Sequence, residues 1–215
     1  MKIEAIPNFA SGIYAFVARK IPCIHDIHEE VRQEVCAKLS SGRILDVGTG
    51  PGYLPFLIAK RAPGLEITGI DLSSGMIEIA RKKAEELGLS NRVKFEVANA
   101  SSLPFEDGYF DFVVSTLSLH HWSDPAACFK EIHRVLKTNG QAYVYDVRRD
   151  TTEDVNARFK EKYGPFLSFL FLRIVRAHSS MTLKKAEEIL SSIQAGFSKK
   201  SVQGKGVILR LEMIK

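Results

Sequence analysis

The chain has 215 residues, 45% hydrophobic and 26% charged, with a formal net charge of +5. That suffices for one well-cored α/β domain but not for two large ones. No signal-like opening and no run of eighteen apolar residues occur, so neither a signal peptide nor a membrane span is expected, and the reading is cytoplasmic. Cys23, Cys36 and Cys128 are isolated and odd in number, which excludes a disulfide framework or a zinc ribbon and leaves buried reduced thiols. The positive charge is uneven: residues 1–146 hold 16 Lys/Arg against 18 Asp/Glu, and residues 147–215 hold 14 against 7. Such an excess suits an acidic substrate, an anionic membrane surface or RNA, or it is a solvated face.

Residues 1–24 mix Phe9, Ile13, Tyr14, Phe16 and Val17 with Gly12 and Pro22, which predicts a short docked helical segment. From His25 to Leu39 the residues Ile27, Val31, Val35 and Leu39 recur at helical spacing. His25 and His28 share one face of that helix, and nothing nearby completes a metal site, so they are read as exposed helix histidines and no metal is expected.

Ile44 to Val47 is an apolar strand that ends in three glycines at alternate positions, Gly48, Gly50 and Gly52. Glycines there allow a tight turn and close approach of a ligand to the backbone. Pro51 suits the first turn of the helix that follows, which runs through Leu54, Leu57 and Ile58 to Arg61. A phosphate-binding P-loop needs Gly-Lys-Ser/Thr, and Tyr53-Leu54 stands there instead. A dinucleotide fingerprint needs a sixth-position glycine, and Tyr53 occupies it. Glu66 to Ile70 is the next strand, with Asp71 at its carboxyl end, where an acid accepts hydrogen bonds from ribose hydroxyls.

The loop Asp46-Val47-Gly48-Thr49-Gly50-Pro51-Gly52, with Asp71 about twenty residues on, resembles class I S-adenosylmethionine-dependent methyltransferases. The resemblance implies a Rossmann-like, doubly wound seven-stranded α/β sheet, mostly parallel with an antiparallel last strand and helices on both faces. It also implies S-adenosyl-L-methionine as cofactor and S-adenosyl-L-homocysteine as product. The cofactor-binding residues so implied are Asp46, Gly48, Thr49, Gly50, Gly52, Asp71, Leu72, Met76, Asn99, Ala100, Ser101, Ser115 and Leu117. The methionine carboxylate is expected near the Gly48–Gly52 backbone.

Further along, Ser73 or Ser74 caps a helix whose buried stripe is Met76, Ile77, Ile79, Ala80, Ala84 and Leu87, with Gly88 ending it. Arg92 to Val97 alternates as a third strand. Asn99-Ala100 follows where the family commonly has an acid that meets the adenine amino group; Asn99 keeps an acceptor oxygen but lacks a carboxylate's charge assistance. Phe110 to Ser115 is the fourth strand. Beyond it, Leu117-Ser118-Leu119-His120-His121-Trp122 is similar to the Leu-His-His stretch of the subfamily containing the ubiquinone and menaquinone C-methylating enzymes. His120 or His121 is the candidate base if the acceptor carries an acidic proton; otherwise the pair packs and hydrogen-bonds.

Asp124-Pro125 opens a helix with Cys128, Ile132, Val135 and Leu136 inside, and Glu131 to Gly140 again resembles that subfamily, ending at a glycine turn before strand five. Asp146 is read as capping that strand. Two helices broken at Gly164-Pro165 are expected within residues 148–181. Their aromatic run, Tyr163 to Leu172, is a lid, a core helix or a membrane-surface contact. Thr182 caps a last helix, and two strands joined at Gly204-Lys205-Gly206 close the sheet.

The division expected is one domain: 1–40 helical lid, 41–146 cofactor core, 147–181 inserted lid, 182–215 last helix and hairpin. Tyr14, Phe16, Trp122 and Tyr163 are the candidate acceptor contacts. The function implied is methylation of a small-molecule acceptor. The alternatives are nucleic-acid methylation, for which the strand-four sequence does not fit, and a non-catalytic S-adenosylmethionine-binding module. Peripheral membrane contact and oligomeric state stay open.

Overall fold

The computed structural model describes residues 21–178 and 181–215, and of residues 174–178 the backbone alone. The expectations for Phe9, Tyr14 and Phe16 lie outside the described residues. In chain order the elements are α1 (Pro22–Lys38), β1 (Ser41–Val47), α2 (Tyr53–Arg61), β2 (Gly64–Asp71), α3 (Ser74–Glu86), β3 (Val93–Val97) and β4 (Phe110–Thr116). A single 3-10 turn (Leu119–His121) precedes α4 (Pro125–Val135), β5 (Leu136–Val147), α5 (Glu153–Tyr163), α6 (Pro165–His178), α7 (Leu183–Ser192), β6 (Lys199–Lys205) and β7 (Ile208–Ile214).

The seven strands form one sheet in the order β3-β2-β1-β4-β5-β7-β6. β1 to β5 pair in parallel, and β7 enters antiparallel between β5 and β6. This is the Rossmann-like doubly wound sheet with an antiparallel last strand. The strand order reverses between β1 and β4, and a crevice opens at such a switch point, outside the carboxyl ends of the strands.

Central strands are covered on both faces and therefore read as continuous apolar runs. Ile44 to Val47 shows this: Ile44 packs with α1, α2 and α3, while Leu45 and Val47 pack with α4 and α7 on the other face. Local chemistry sets the helix starts. Ser73, Asp124 and Thr182 each accept a backbone N–H of the first turn with the side chain. Among the described residues no helix is long and apolar enough to cross a membrane.

Two local expectations need correction. Pro51 lies in the turn, and α2 starts at Tyr53 behind Gly52, whose φ of +82° is open to glycine but strained for other residues. β5 starts at Leu136 and continues through Gly140, with no glycine turn in front of it. A register shift opposite β4 and Asn139 at φ +63° absorb the irregularity, and the C-terminal Lys215 pairs with Asn139 and Gly140 there.

Cys23, Ile27, Val31 and Val35 pack α1 into the core, and two of its carboxylates tie it to the sheet, Glu30 through Lys205 at 2.9 Å and Glu34 through three residues. Glu34 accepts the Tyr145 hydroxyl at 2.8 Å and also meets Lys205 and Arg210, so three strands grip one helix.

Candidate active site

The crevice at the switch point is walled by the loop after β1, the end of β2, the loop after β3, the segment after β4, and α1. The loop's three glycines do different jobs. A Cβ on Gly48 would stand 2.5 Å from Ser118 Cβ, and one on Gly52 would stand 2.7 Å from the Phe95 ring, so these two let the loop pack. Gly50, at φ +53°, has nothing within 4 Å of its Cβ position and borders the crevice. It is the point where a ligand can lie against bare backbone.

The loop offers space rather than donors. Gly48 and Thr49 both donate to the Ile70 carbonyl at 2.9 Å, Gly50 donates to Asp71 Oδ2 at 2.9 Å, and Gly52 donates to the Thr49 carbonyl at 3.1 Å. Pro51 has no N–H. The expectation that a carboxylate sits near this backbone therefore has to be met without those amide hydrogens.

Asp46 does not reach the crevice. It is 2% exposed, accepts the Thr49 hydroxyl at 2.7 Å, and burial pushes its carboxyl up to about 7, with the Asp71 charge adding to the effect. Asp71 does border the crevice. Its two oxygens accept Gly50 N–H and Ser73 N–H, each at 2.9 Å, and burial raises its carboxyl above the usual range. A carboxylate has about four acceptor sites, so Asp71 retains capacity for hydroxyl donors.

Leu72, Met76, Asn99, Ala100 and Ser101 line the same end. The Asn99 side-chain oxygen accepts both the N–H of Ser101, at 3.0 Å, and its hydroxyl, at 2.9 Å. Its acceptor oxygen thus holds the local turn from within the crevice lining.

At the other end, Ser118 acts as a joint between the two loops. Its hydroxyl meets Val47 O at 3.2 Å and Ser115 Oγ at 2.7 Å, and Trp122 Nε1–H donates to it at 3.2 Å. Ser115 is wholly buried and off the crevice, whereas Leu117, Trp122, Thr116 and Ser118 line it. Leu117 has φ +59°, a conformation that costs a branched residue energy and that recurs at functional sites. The Thr116 hydroxyl is buried with no partner among the described residues.

The two histidines part company. His120 is drawn away from the crevice lining: its backbone N–H donates to Asp146 at 2.7 Å, and its ring Nδ1 lies 2.8 Å from Asp146 Oδ1. Asp146 is fully buried, so rather than capping β5 it holds this ring. His121 lines the crevice and leans on the His120 ring, with centroids 4.0 Å apart.

Tyr163 is not in the crevice. Its hydroxyl donates to Asp26 at 2.8 Å beside a separate hollow between α1 and α5. No described residue of α5 or α6 borders the crevice. Phe166, Phe169 and Leu170 of α6 instead face outward.

Sequence reasoning missed the α1 wall. Ile24 and His28, one turn apart, line the crevice with Tyr53. His28 is not the exposed helix histidine expected: it is half-buried between the crevice and a second hollow beside α2 and α3, and burial lowers its imidazole to about 4. The one available signal was its position beside the Ile27, Val31, Val35 stripe. Among the described residues the lining contains no Lys or Arg, and no group of three or more His, Cys, Asp or Glu side chains gathers in a way that could hold a metal ion.

Comparison with known proteins matches the family model described as a methyltransferase domain to residues 45–144. A demethylmenaquinone methyltransferase of Thermus thermophilus is 41% identical over 104 residues, 48% of this chain and 46% of that one. A ubiquinone/menaquinone biosynthesis C-methyltransferase of Geotalea uraniireducens is 37% identical over 106 residues, 49% and 45% of the two chains. The chain thus spans about half the length of these curated relatives. Among solved structures, a putative S-adenosyl-L-methionine-dependent methyltransferase of Methanococcus maripaludis superposes with a TM-score of 0.76, at 22% identity over 100% of this chain and 95% of that one.

Proposed function

We propose, from the match of residues 45–144 to the methyltransferase domain model and from the order of the sheet, that the protein is an S-adenosylmethionine-dependent methyltransferase acting on a small, largely apolar acceptor. The observation that carries the reading is the crevice at the β1/β4 switch point, where Gly50 leaves the backbone bare and Asp71 ends β2. A Cβ at Gly50 would project into that space, which fits a ligand lying flat on the loop.

When bound, S-adenosylmethionine supplies a methyl group on a sulfonium whose departure as a neutral thioether needs no acid from the protein. The chain's task is placement. Asp71 accepts the ribose hydroxyls with its remaining lone pairs, and the turn from Asn99 to Ser101 borders the adenine. Leu117 and Trp122 give the acceptor side an apolar wall, and His121, which leans on the His120 ring that Asp146 holds, borders it as the candidate base. A quinone-type acceptor, as in the names of the matched relatives, accords with these walls. Nucleic acid accords less well, because the described lining has no Lys or Arg for phosphate.

Titration calorimetry with S-adenosylhomocysteine, followed by turnover with labelled methyl donor and a panel of apolar ring acceptors, tests this. Absence of binding rejects it, and tight binding with no turnover on any acceptor favours the non-catalytic module.

A further inference from the structure

We propose that α6 docks the protein on an anionic lipid surface, with Phe166, Phe169 and Leu170 entering the bilayer interface; this is independent of the methyltransferase reading. The helix is packed inside out. Phe166, Phe169, Leu170 and Arg173 fall at i, i+3, i+4 and i+7, so they share one face. That face points outward: Phe166 is 78% exposed, Phe169 60% and Leu170 42%. The inward face carries Ser168, whose hydroxyl donates to the Phe159 carbonyl at 3.3 Å, and Phe171, which stacks on the Phe159 ring at 5.2 Å between centroids. A surface helix ordinarily does the reverse, hiding its apolar stripe and showing its serines. A contiguous apolar stripe left in water marks a face that meets something.

Charge selects the occupant. α6 contains two arginines and no Asp or Glu. Arg173 ends the exposed stripe, with its guanidinium 5.5 Å from the centre of the Phe169 ring. Residues 147–215 as a whole hold 14 Lys/Arg against 7 Asp/Glu. An anionic surface complements this excess, whereas a second copy of the chain brings the same positive field to the same face and opposes pairing.

Hydrogen bonding favours lipid over a protein partner. Protein interfaces carry about one hydrogen bond per 100–200 Å², and the three apolar side chains of this stripe can neither donate nor accept. A lipid interface asks for none from them. It also suits Arg173, because an arginine stem lies along apolar surface while its head reaches a phosphate. With 14 residues α6 is too short to span a bilayer, so it lies in the plane of the interface.

The test uses the full chain and two kinds of vesicle, phosphatidylcholine alone and equal parts phosphatidylcholine and phosphatidylglycerol, with binding read by cosedimentation. The native chain should bind the anionic vesicles, and less tightly as salt is raised. Phe166→Ser combined with Phe169→Ser should weaken that binding by about a hundredfold, roughly tenfold for each ring withdrawn from lipid. Its thermal unfolding should match the native chain, since both positions are exposed. Arg173→Gln should cost about fivefold on the anionic vesicles. Phe166→Trp adds a reporter whose emission should shift to the blue on those vesicles.

No binding of the native chain to anionic vesicles overturns the proposal. Undiminished binding of the doubly substituted chain does so too, because it assigns the contact to the basic surface at large. So does unshifted Phe166→Trp emission on bound vesicles, a result that does not depend on the double variant folding. A native dimer in lipid-free solution that the double substitution splits would show that a second copy covers the face, and that also overturns it.

Discussion

Asp46→Asn should flatten the pH dependence of stability without removing the loop. In the native chain the Asp46 carboxyl is 2% exposed and has one neutral partner, the Thr49 hydroxyl, and its pKa is raised from 3.8 to about 7. Between those values the unfolded chain has released its proton while the folded chain still holds it. The stability tied to this proton is therefore fully present below about pH 4 and is lost as pH rises toward 7. The gap of about three, at 1.36 kcal/mol for each unit, makes this contribution on the order of 4 kcal/mol. The asparagine side chain has no proton to lose, and its amide oxygen still accepts from Thr49. Urea unfolding of both proteins across that window is the assay, because every other titrating group is common to the pair. The variant should gain on the native chain as pH rises. Parallel stability curves would refute the reasoning, since they would mean that Asp46 is ionised in the fold and has a partner other than Thr49.

Asp71→Ala removes the acceptor for Gly50 and Ser73 as well as the proposed ribose contact. S-adenosylhomocysteine affinity should fall by about 2–4 kcal/mol, and unchanged affinity by calorimetry would reject the ribose assignment. Gly48→Ala meets both a φ of +74° and Ser118 Cβ at 2.5 Å, so chemical unfolding should show a loss of about 2–5 kcal/mol. Gly50→Ala has room and should lose only about 1–2 kcal/mol of stability while weakening the ligand; equal stability losses at the two sites would contradict their different surroundings. Asn99→Asp keeps the acceptor for Ser101 and should hold S-adenosylhomocysteine affinity, whereas a large loss would show that the amide N–H₂ touches the ligand.

Local chemistry made much of this protein legible from its residues. The glycine loop, Asp71 at a strand end, the caps Ser73, Asp124 and Thr182, and the break at Gly164-Pro165 are settled by neighbours a few positions away, where backbone freedom and side-chain reach decide the conformation. The strand order followed only from resemblance, because the residues of one strand do not say which other strand lies beside it. What tertiary structure alone decided are pairings across long stretches of chain. Asp146 captures His120 from 26 residues away and leaves His121 in the crevice. Glu34 binds β5, β6 and β7, and His28 of the same helix lines the crevice. Tyr163 turns instead to Asp26, on the far side of α1 from its expected place. The loop amides of Gly48, Thr49 and Gly50 point inward because β2 lies alongside β1 and offers Ile70 and Asp71 as acceptors. Hydrogen-bond partners are chosen by where the packed elements bring them, and that is information no single stretch of sequence contains.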